Sequence, residues 1–215
     1  MRQGDNILNY KSSYTDDKGV LNNKLGIHDN DELNKAERMI TSYKLTQLYL
    51  NPGDQTFDVN HYLRIHKYLF DDIYPFAGTI RLEVISKRIT FCLPHLIETN
   101  LKQTLDQARK RIPAITDRQK LLAYITELYS DLDIIHPFRE GNGRTEREFI
   151  RQLIDYICKT NHLEPYYIDY RLLSERRDEY IDAVVKADAY LKYEDLYMLF
   201  DTALTIKEPQ PKKEL

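Results

Sequence analysis

Apolar residues recur every three or four positions along most of this chain, and that spacing predicts helices. One apolar stripe in the middle of the chain comprises Leu122, Ile125, Leu128, Tyr129 and Leu132. A second stripe, after a short interruption, comprises Phe149, Ile150, Leu153, Ile154 and Ile157. Across the whole sequence the same pattern predicts helices at 31–50, 58–71, 95–111, 116–134, 144–160, 170–187 and 193–205. The chain is therefore predicted to be all-α.

The two ends of the chain lack this pattern. Residues 1–22 are polar and contain several Gly, Ser and Asp residues, which predicts a poorly ordered N-terminal arm. Residues 206–215 contain two Pro and three Lys residues and are predicted to form a C-terminal tail or the start of a linker. The helical domain would then occupy residues 23–205.

Composition narrows the function classes. A chain of 215 residues with 42% hydrophobic content can bury one substantial core. Its net charge of −3 gives no electrostatic footprint for nucleic acid, and no apolar run reaches the roughly 18 residues that a membrane span requires. Cys92 and Cys158 are too few for a disulfide scaffold, which favours the cytoplasm. Delivery into a host cell is an alternative, through a secretion system that does not cleave a signal peptide.

The segment from His136 to Arg147, HPFREGNGRTER, interrupts the two apolar stripes and carries most of the candidate chemistry. It is predicted to be a loop that leads into the N-terminus of a helix. The first turn of a helix has N–H groups without intrahelical partners and the positive end of the macrodipole, so it favours phosphate. Gly141 and Gly143 would take positive φ values and let the backbone approach an anion.

The charged residues of this loop fit the same interpretation. Arg144 and Arg147 lie three positions apart, so their guanidinium groups share one helix face. Glu140 would repel a phosphate unless a cation such as Mg²⁺ lay between them. His136 is the loop residue that exchanges a proton near neutral pH, at a place where a hydroxyl nucleophile would approach.

Every specified position of this loop matches the Fic family signature, His-x-Phe-x-(Asp/Glu)-Gly-Asn-Gly-Arg-x-x-Arg, and the chain thus resembles that family. Residues 85–94 are similar to the family's flap, a short hairpin, and residues 70–81 resemble the segment before it. The likeness extends over about residues 20 to 205. It implies an all-α Fic-domain helical bundle with a small β-hairpin flap.

The resemblance also implies an activity, the transfer of AMP from ATP to a hydroxyl side chain of a target protein with release of pyrophosphate. His136 would be the general base, Glu140 the Mg²⁺ ligand and Phe138 a core anchor of the loop. The implied nucleotide-binding residues are Arg139, Gly141, Asn142, Gly143, Arg144 and Arg147. The flap residues expected to bind an extended target segment are Ile85, Ser86, Lys87, Arg88, Ile89, Thr90 and Phe91.

Two other functions are compatible with the loop. Doc-like phosphotransferases resemble it but have Lys where this chain has Gly143, and that Lys forces the nucleotide to bind inverted. A catalytically silent nucleotide-binding or interaction module is the second alternative, although such a module has no need for a proton acceptor at His136. The usual flap has Gly where Arg88 stands, which bears on the geometry of the turn.

Regulation is the last expectation. Fic proteins are commonly inhibited by a helix with a Ser/Thr-x-x-x-Glu-Gly/Asn motif, whose Glu pairs with the second arginine of the signature. That motif is absent from this sequence. An antitoxin-like inhibitor acting in trans is therefore expected, with a block by Glu194 or Asp195 of the last predicted helix as the alternative.

Overall fold

The computed structural model describes residues 12–207. In this part of the chain the elements are α1 Asn30–Leu50, α2 Val59–Phe70, α3 Pro94–Arg111, a 3-10 turn at Ile112–Ala114, α4 Arg118–Ile135, α5 Asn142–Thr160, β1 Tyr166–Ile168, α6 Tyr170–Glu175, α7 Arg177–Tyr190, α8 Glu194–Ala203 and β2 Leu204–Ile206. None of the helices in this range is both long enough and apolar enough to cross a bilayer. The predicted all-α fold is confirmed, with one small sheet added to it.

Aspartate side chains set the starts of three long helices. Asp29, Asp58 and Asp117 each accept a hydrogen bond from a first-turn backbone N–H, at the beginnings of α1, α2 and α4. Such a cap pairs a donor that has no intrahelical acceptor. Pro94 opens α3, where its fixed φ suits the first helical position and its missing N–H costs nothing.

Helices α4 and α5 form the centre of the molecule. Helix α5 packs against α2, α4 and β1, while α4 also contacts α3, α7 and α8. Both apolar stripes predicted from the sequence are buried here. Residues 136–141 join the two helices, so the candidate loop is held at both ends by the best-packed elements.

The C-terminal third differs from the periodicity-based prediction. The expected helix 170–187 is interrupted at Arg176, giving α6 and α7, and α7 continues to Tyr190, where Leu191 adopts a left-handed conformation. The expected helix 193–205 ends at Ala203, because Leu204–Ile206 pairs with Tyr166–Ile168 as an antiparallel ladder. Three-residue strands are too short to give an alternating sequence signal.

The flap is smaller than the expected hairpin. Its strands meet in a single antiparallel bridge between Ser86 and Thr90, and the Lys87 N–H donates to the Ile89 carbonyl at 3.0 Å. At its base, the Phe91 N–H donates to the Ile85 carbonyl (3.1 Å). The next residue ties the flap to the end of α4, since the Cys92 N–H donates to the Ile134 carbonyl (2.9 Å).

The N-terminal arm is better packed than its composition suggested, at least from residue 12 onward. Val20 is buried, and Thr15 forms a bridge with Leu21. The Ser12 hydroxyl and the Ser13 N–H donate to the Glu83 carboxylate at 2.7 and 2.8 Å, so the polar side chains have partners on the folded domain. Residues 12–22 are thus packed on the domain, while residues 1–11 and the tail from 208 lie outside the described range.

Candidate active site

The candidate loop begins where α4 ends in a left-handed residue. His136 has φ 45° and ψ 60°, and its N–H still donates to the Leu132 carbonyl (3.1 Å). The loop ends at Gly141, which has φ 85°. A Cβ at this position would lie 2.3 Å from the Phe70 ring, so both the backbone conformation and the close packing require Gly.

The Asn142 side chain closes the loop. Its Oδ1 accepts from the Phe138 N–H and its Nδ2 donates to the Phe138 carbonyl, both at 2.8 Å. Phe138 is fully buried and stacks on His66 with ring centroids 3.7 Å apart. The predicted anchoring role of Phe138 is confirmed, and Asn142 contributes to the loop through its side chain.

His66 supports the loop from α2, although no sequence pattern singles this residue out. The Gly78 N–H donates to its Nδ1 (2.7 Å), so the proton of the neutral ring is on Nε2, which donates to the Glu140 carbonyl (2.9 Å). Burial lowers the pKa of His66 to about 4. His66 is therefore neutral and fixed in one tautomer.

Arg81 is a second supporting residue that the sequence pattern did not reveal as part of the site. It is completely buried, and its guanidinium donates to four backbone carbonyls, those of His136 (2.7 Å), Glu83 (2.6 Å), Cys92 (2.6 Å) and Ile135 (3.4 Å). Burial lowers its pKa. This single side chain joins His136 to both ends of the flap.

The His136 ring lies between the flap and the end of α4. It stacks on Phe91 with centroids 3.8 Å apart and is 6% exposed. Its Nδ1 lies 3.2 Å from the Asp133 carbonyl, and a carbonyl only accepts, so Nδ1 carries the proton of the neutral ring. Nε2 is left as the proton acceptor, as a general base requires.

Arg144 already has protein partners. Its guanidinium donates to the Glu37 carboxylate (2.5 Å) and to the Thr41 hydroxyl (3.3 Å) of α1, and it lies 3.4 Å from Glu140 Oε1. Glu37 is buried and also accepts from the Tyr74 hydroxyl. The positive charge of Arg144 thus offsets the negative charges of two carboxylates. Glu37 is a site residue that helical periodicity alone did not reveal.

Arg147 differs from Arg144 in having no carboxylate partner. Within residues 12–207 its guanidinium forms no salt bridge or hydrogen bond, and it lies 5.6 Å from the centre of the Tyr170 ring. It lines a cavity of about 460 Å³ with His136, Gly143 and Phe91, and another of about 890 Å³ bounded by α1, α5 and the small sheet. A half-buried, unpaired guanidinium at these cavities is suited to bind an anion.

Gly143 is not the positive-φ residue that was expected. It lies in the first turn of α5, and a Cβ there would lie 3.2 Å from Arg147 Nη1. No side chain of the described residues caps this helix start, so its first N–H groups remain available. The other predicted nucleotide-binding arginine, Arg139, has its Nε 3.9 Å from the Glu83 carboxylate at the base of the flap.

Glu140 is the carboxylate nearest to this helix start. Its Oε1 accepts from the Gly141 N–H (2.8 Å), and its Oε2 has no partner among residues 12–207. The described residues contain no group of three or more His, Cys, Asp or Glu side chains arranged around a common ion. This donor set fits a cation such as Mg²⁺, which usually takes one or two carboxylates and completes its shell with phosphates and water.

Comparison with known proteins gives a consistent result. The family model described as the Fic/DOC family matches residues 56–154, which include the whole candidate loop. The protein adenylyltransferase VbhT of Bartonella schoenbuchensis is 36% identical over 143 residues, which is 65% of this chain and 30% of VbhT. The probable protein adenylyltransferase y4lH of Sinorhizobium fredii is 29% identical, over 78% of this chain and 83% of that protein.

Solved structures share the fold. BepC of Bartonella tribocorum, described as a VirB-translocated effector protein with bound AMPPNP, superimposes with a TM-score of 0.76 at 20% identity, covering 91% of this chain and 97% of that one. The N-terminal Fic domain of a putative cell filamentation protein from Bartonella quintana, with bound ADP, has a TM-score of 0.76 at 24% identity and covers 93% and 94%. At these identities the likeness shows the fold.

Proposed function

We propose that this chain is a member of the Fic/DOC family, whose model matches residues 56–154, and that it is a protein adenylyltransferase, which transfers AMP from ATP to a hydroxyl side chain of a target protein. Both relatives compared above carry that description. The chain spans only 30% of the length of VbhT, so the activity is inferred from its own site. One observation supports it most: the unprotonated Nε2 of His136 and the unpaired guanidinium of Arg147 belong to one cavity.

In the proposed reaction the target hydroxyl oxygen attacks the α-phosphorus of ATP, and the bond to pyrophosphate breaks. His136 Nε2 takes the hydroxyl proton while Nδ1–H stays hydrogen-bonded to the Asp133 carbonyl. Arg147 and the first N–H groups of α5 bind the phosphate oxygens. Arg144, whose charge is shared between Glu37 and Glu140, holds the side of the site next to Glu140.

Mg²⁺ is part of this proposal, with Glu140 as its ligand through the oxygen that has no protein partner. When bound, the ion would neutralise phosphate charge and assist departure of pyrophosphate. The surrounding residues of the chain hold Glu140 in position. His66 holds the Glu140 carbonyl and Arg144 approaches its Oε1, so the backbone and side chain of Glu140 are both restrained.

The flap is the proposed docking site for the target. Ser86, Lys87 and Arg88 are exposed, and one bridge leaves most of the flap backbone unpaired on its outer edge. An extended target segment would add to this edge through main-chain hydrogen bonds, which read little of its sequence. The exposed Arg88 pairs with Asp182 of α7, so the tip of the flap is held over the cavity.

Regulation in trans is proposed as well. Among the described residues no carboxylate pairs with Arg147, and Asp195 forms its ion pair with Lys186 (2.5 Å). A partner protein that supplies a carboxylate to Arg147 would compete with the nucleotide phosphates. Delivery of this chain into a host cell is a separate proposal, supported by its likeness in fold to BepC, which is described as a VirB-translocated effector protein.

Labelled ATP tests the reaction directly. The chain is incubated with Mg²⁺ and a host lysate, once with α-labelled and once with γ-labelled ATP, beside His136→Ala as the control. Protein labelling only from the α-position and only by the unsubstituted chain is expected. Labelling only from the γ-position would indicate phosphotransfer, and no labelling by a chain that binds ATP would indicate a silent nucleotide-binding module.

A further inference from the structure

A pair of aspartates lies behind the imidazole of His136. Asp133 is on the last turn of α4, and its Oδ1 is 3.6 Å from His136 Nδ1. Asp188 is on α7, and its side chain contacts that of Asp133. All three residues line the cavity of about 460 Å³. Helix α7 is therefore connected to the proposed general base through Asp133.

The two oxygens of Asp188 have different environments. Oδ1 accepts from the Ser130 hydroxyl at 2.7 Å. Oδ2 is buried, and no donor of the described residues reaches it. An ionised carboxylate would leave this oxygen without a hydrogen bond, which is costly in a buried position. A protonated carboxyl group instead carries a hydrogen that it can donate, and the side chain beside it is the carboxylate of Asp133.

The groups around the pair place the negative charge on Asp133. Burial opposes that charge, but the hydrogen bond with His136 lowers the pKa of Asp133, and the charge of Lys87 of the flap, together with that of His136 once it is protonated, adds to the effect. Burial and the charge of Asp133 raise the pKa of Asp188 to about 8, with Asp131 of α4 adding to the repulsion.

Further titratable groups face the pair from α5 and α8. They are Glu146 of α5 and Tyr193 at the start of α8, and Arg147 of α5 lines the same cavity. The hydroxyls of Tyr62 on α2, Tyr129 on α4 and Tyr180 on α7 lie near Asp133, and burial raises the pKa of each. Burial and the charge of Asp133 raise the pKa of Glu146 well above its usual range, so Glu146 is neutral and adds no second anion. The Tyr193 hydroxyl has a raised pKa through burial and stays neutral too. The pair thus carries one net negative charge at neutral pH.

We propose that Asp188 is a positioning residue for the general base, because it holds the proton of the Asp133–Asp188 pair and keeps a single negative charge on Asp133 behind the imidazole. The inference rests on the proposed function for its catalytic meaning. When His136 Nε2 takes the proton of the target hydroxyl, Nδ1–H remains directed at Asp133, whose charge stabilises the imidazolium. The proton of Asp188 stays on the pair. If it is lost at high pH, two adjacent charges repel and the support of His136 is disturbed.

The pH dependence of kcat/KM tests this role in the full chain. We expect activity to fall on the alkaline side near pH 8, and we expect Asp188→Asn to abolish that fall, since its amide still donates to Asp133 but does not ionise. Asp178→Asn, an exposed position on the same helix, is the matched control and should keep the alkaline fall. Asp133→Asn should lower kcat roughly tenfold or more, with KM for ATP little changed. The decrease would be part of the rate acceleration of about a hundred- to ten-thousand-fold that a general base supplies. An alkaline fall that persists in Asp188→Asn would overturn the proposal.

A second measurement needs no enzymatic activity. In the ¹³C NMR spectrum of the carboxyl groups, with Asp188 assigned through Asp188→Asn, the Asp188 signal should titrate near pH 8 and that of Asp133 far lower. The ¹⁵N spectrum of His136 should show the Nδ1–H tautomer at neutral pH. An Asp188 carboxyl that is already ionised at pH 6 would contradict the inference even if the chain proves to be an adenylyltransferase. The expected titration without any transfer activity would instead refute the proposed function alone.

Discussion

Arg144 and Arg147 share a helix face, but their partners give them separate tasks. Arg144 is paired with Glu37, whose side chain is only 7% exposed, whereas Arg147 has no carboxylate partner among the described residues. Spacing along a helix predicts which side chains are neighbours, but it does not show which of them is already paired. The two positions therefore allow a direct comparison between an arginine paired within the protein and one proposed to bind the nucleotide.

We expect Arg147→Ala to weaken ATP binding by about 1.5–3 kcal/mol, roughly a ten- to hundredfold change in Kd, with little loss of stability. Arg144→Ala should instead lower the free energy of unfolding by about 3–5 kcal/mol, because it leaves Glu37 buried and unpaired. Urea denaturation and calorimetric titration with ATP measure the two effects. Adding Glu37→Gln to Arg144→Ala should recover part of the stability, and equal losses of stability in both single variants would contradict the assignment.

His66 gives a prediction about pH. Its pKa is about 4 in the folded chain and about 6.5 when unfolded, so its contribution to stability is complete above pH 6.5 and is lost as the pH falls from 6.5 towards 4. That loss is on the order of 3 kcal/mol. Urea denaturation without Mg²⁺ at pH 7.5 and 4.5 should show a smaller decrease for His66→Gln than for the unsubstituted chain. Equal decreases would show that His66 is not held neutral.

At the scale of elements, the start of α5 determines how much space the phosphates have. We expect Gly143→Lys to lower AMP transfer on the order of a hundredfold, since a side chain at this position begins 3.2 Å from Arg147 Nη1 and brings a second positive charge. Gly143→Ala is the matched control. Its methyl group requires only a small shift of the flexible Arg147 end, so most activity should remain. Rates from α-labelled ATP and thermal melting separate this effect from misfolding.

Elements with strong periodicity were predictable from the sequence, and those defined by tertiary contacts were not. The apolar stripes predicted the bounds of α1 to α5 to within a few residues, because one face of each helix is buried. The pairing of β1 with β2 depends on partners far apart in sequence, and periodicity does not mark the break at Arg176. The signature loop was likewise visible, while His66 and Arg81, which hold it in place, lie among ordinary polar residues of other segments.

At the scale of the whole molecule, three cavities meet at Arg147, and the C-terminal helix does not block it. We expect Glu194→Gln with Asp195→Asn to leave transfer within about twofold of the unsubstituted rate, because Asp195 is paired with Lys186 and Glu194 is exposed. These isosteric changes retain the core contacts of Leu196, Leu199 and Phe200. A large rise in labelling from α-labelled ATP would instead place the inhibitory group on α8.

The backbone carbonyls bound by Arg81 have a consequence for how acceptors would be chosen. His136 and both ends of the flap are joined through one buried side chain, and Phe91 of the flap stacks directly on the imidazole. Under the proposed activity, a segment docked on the flap therefore lies at a fixed distance from His136 Nε2. The position of a hydroxyl along the docked strand then decides whether it is modified, and the neighbouring side chains of the target have little effect.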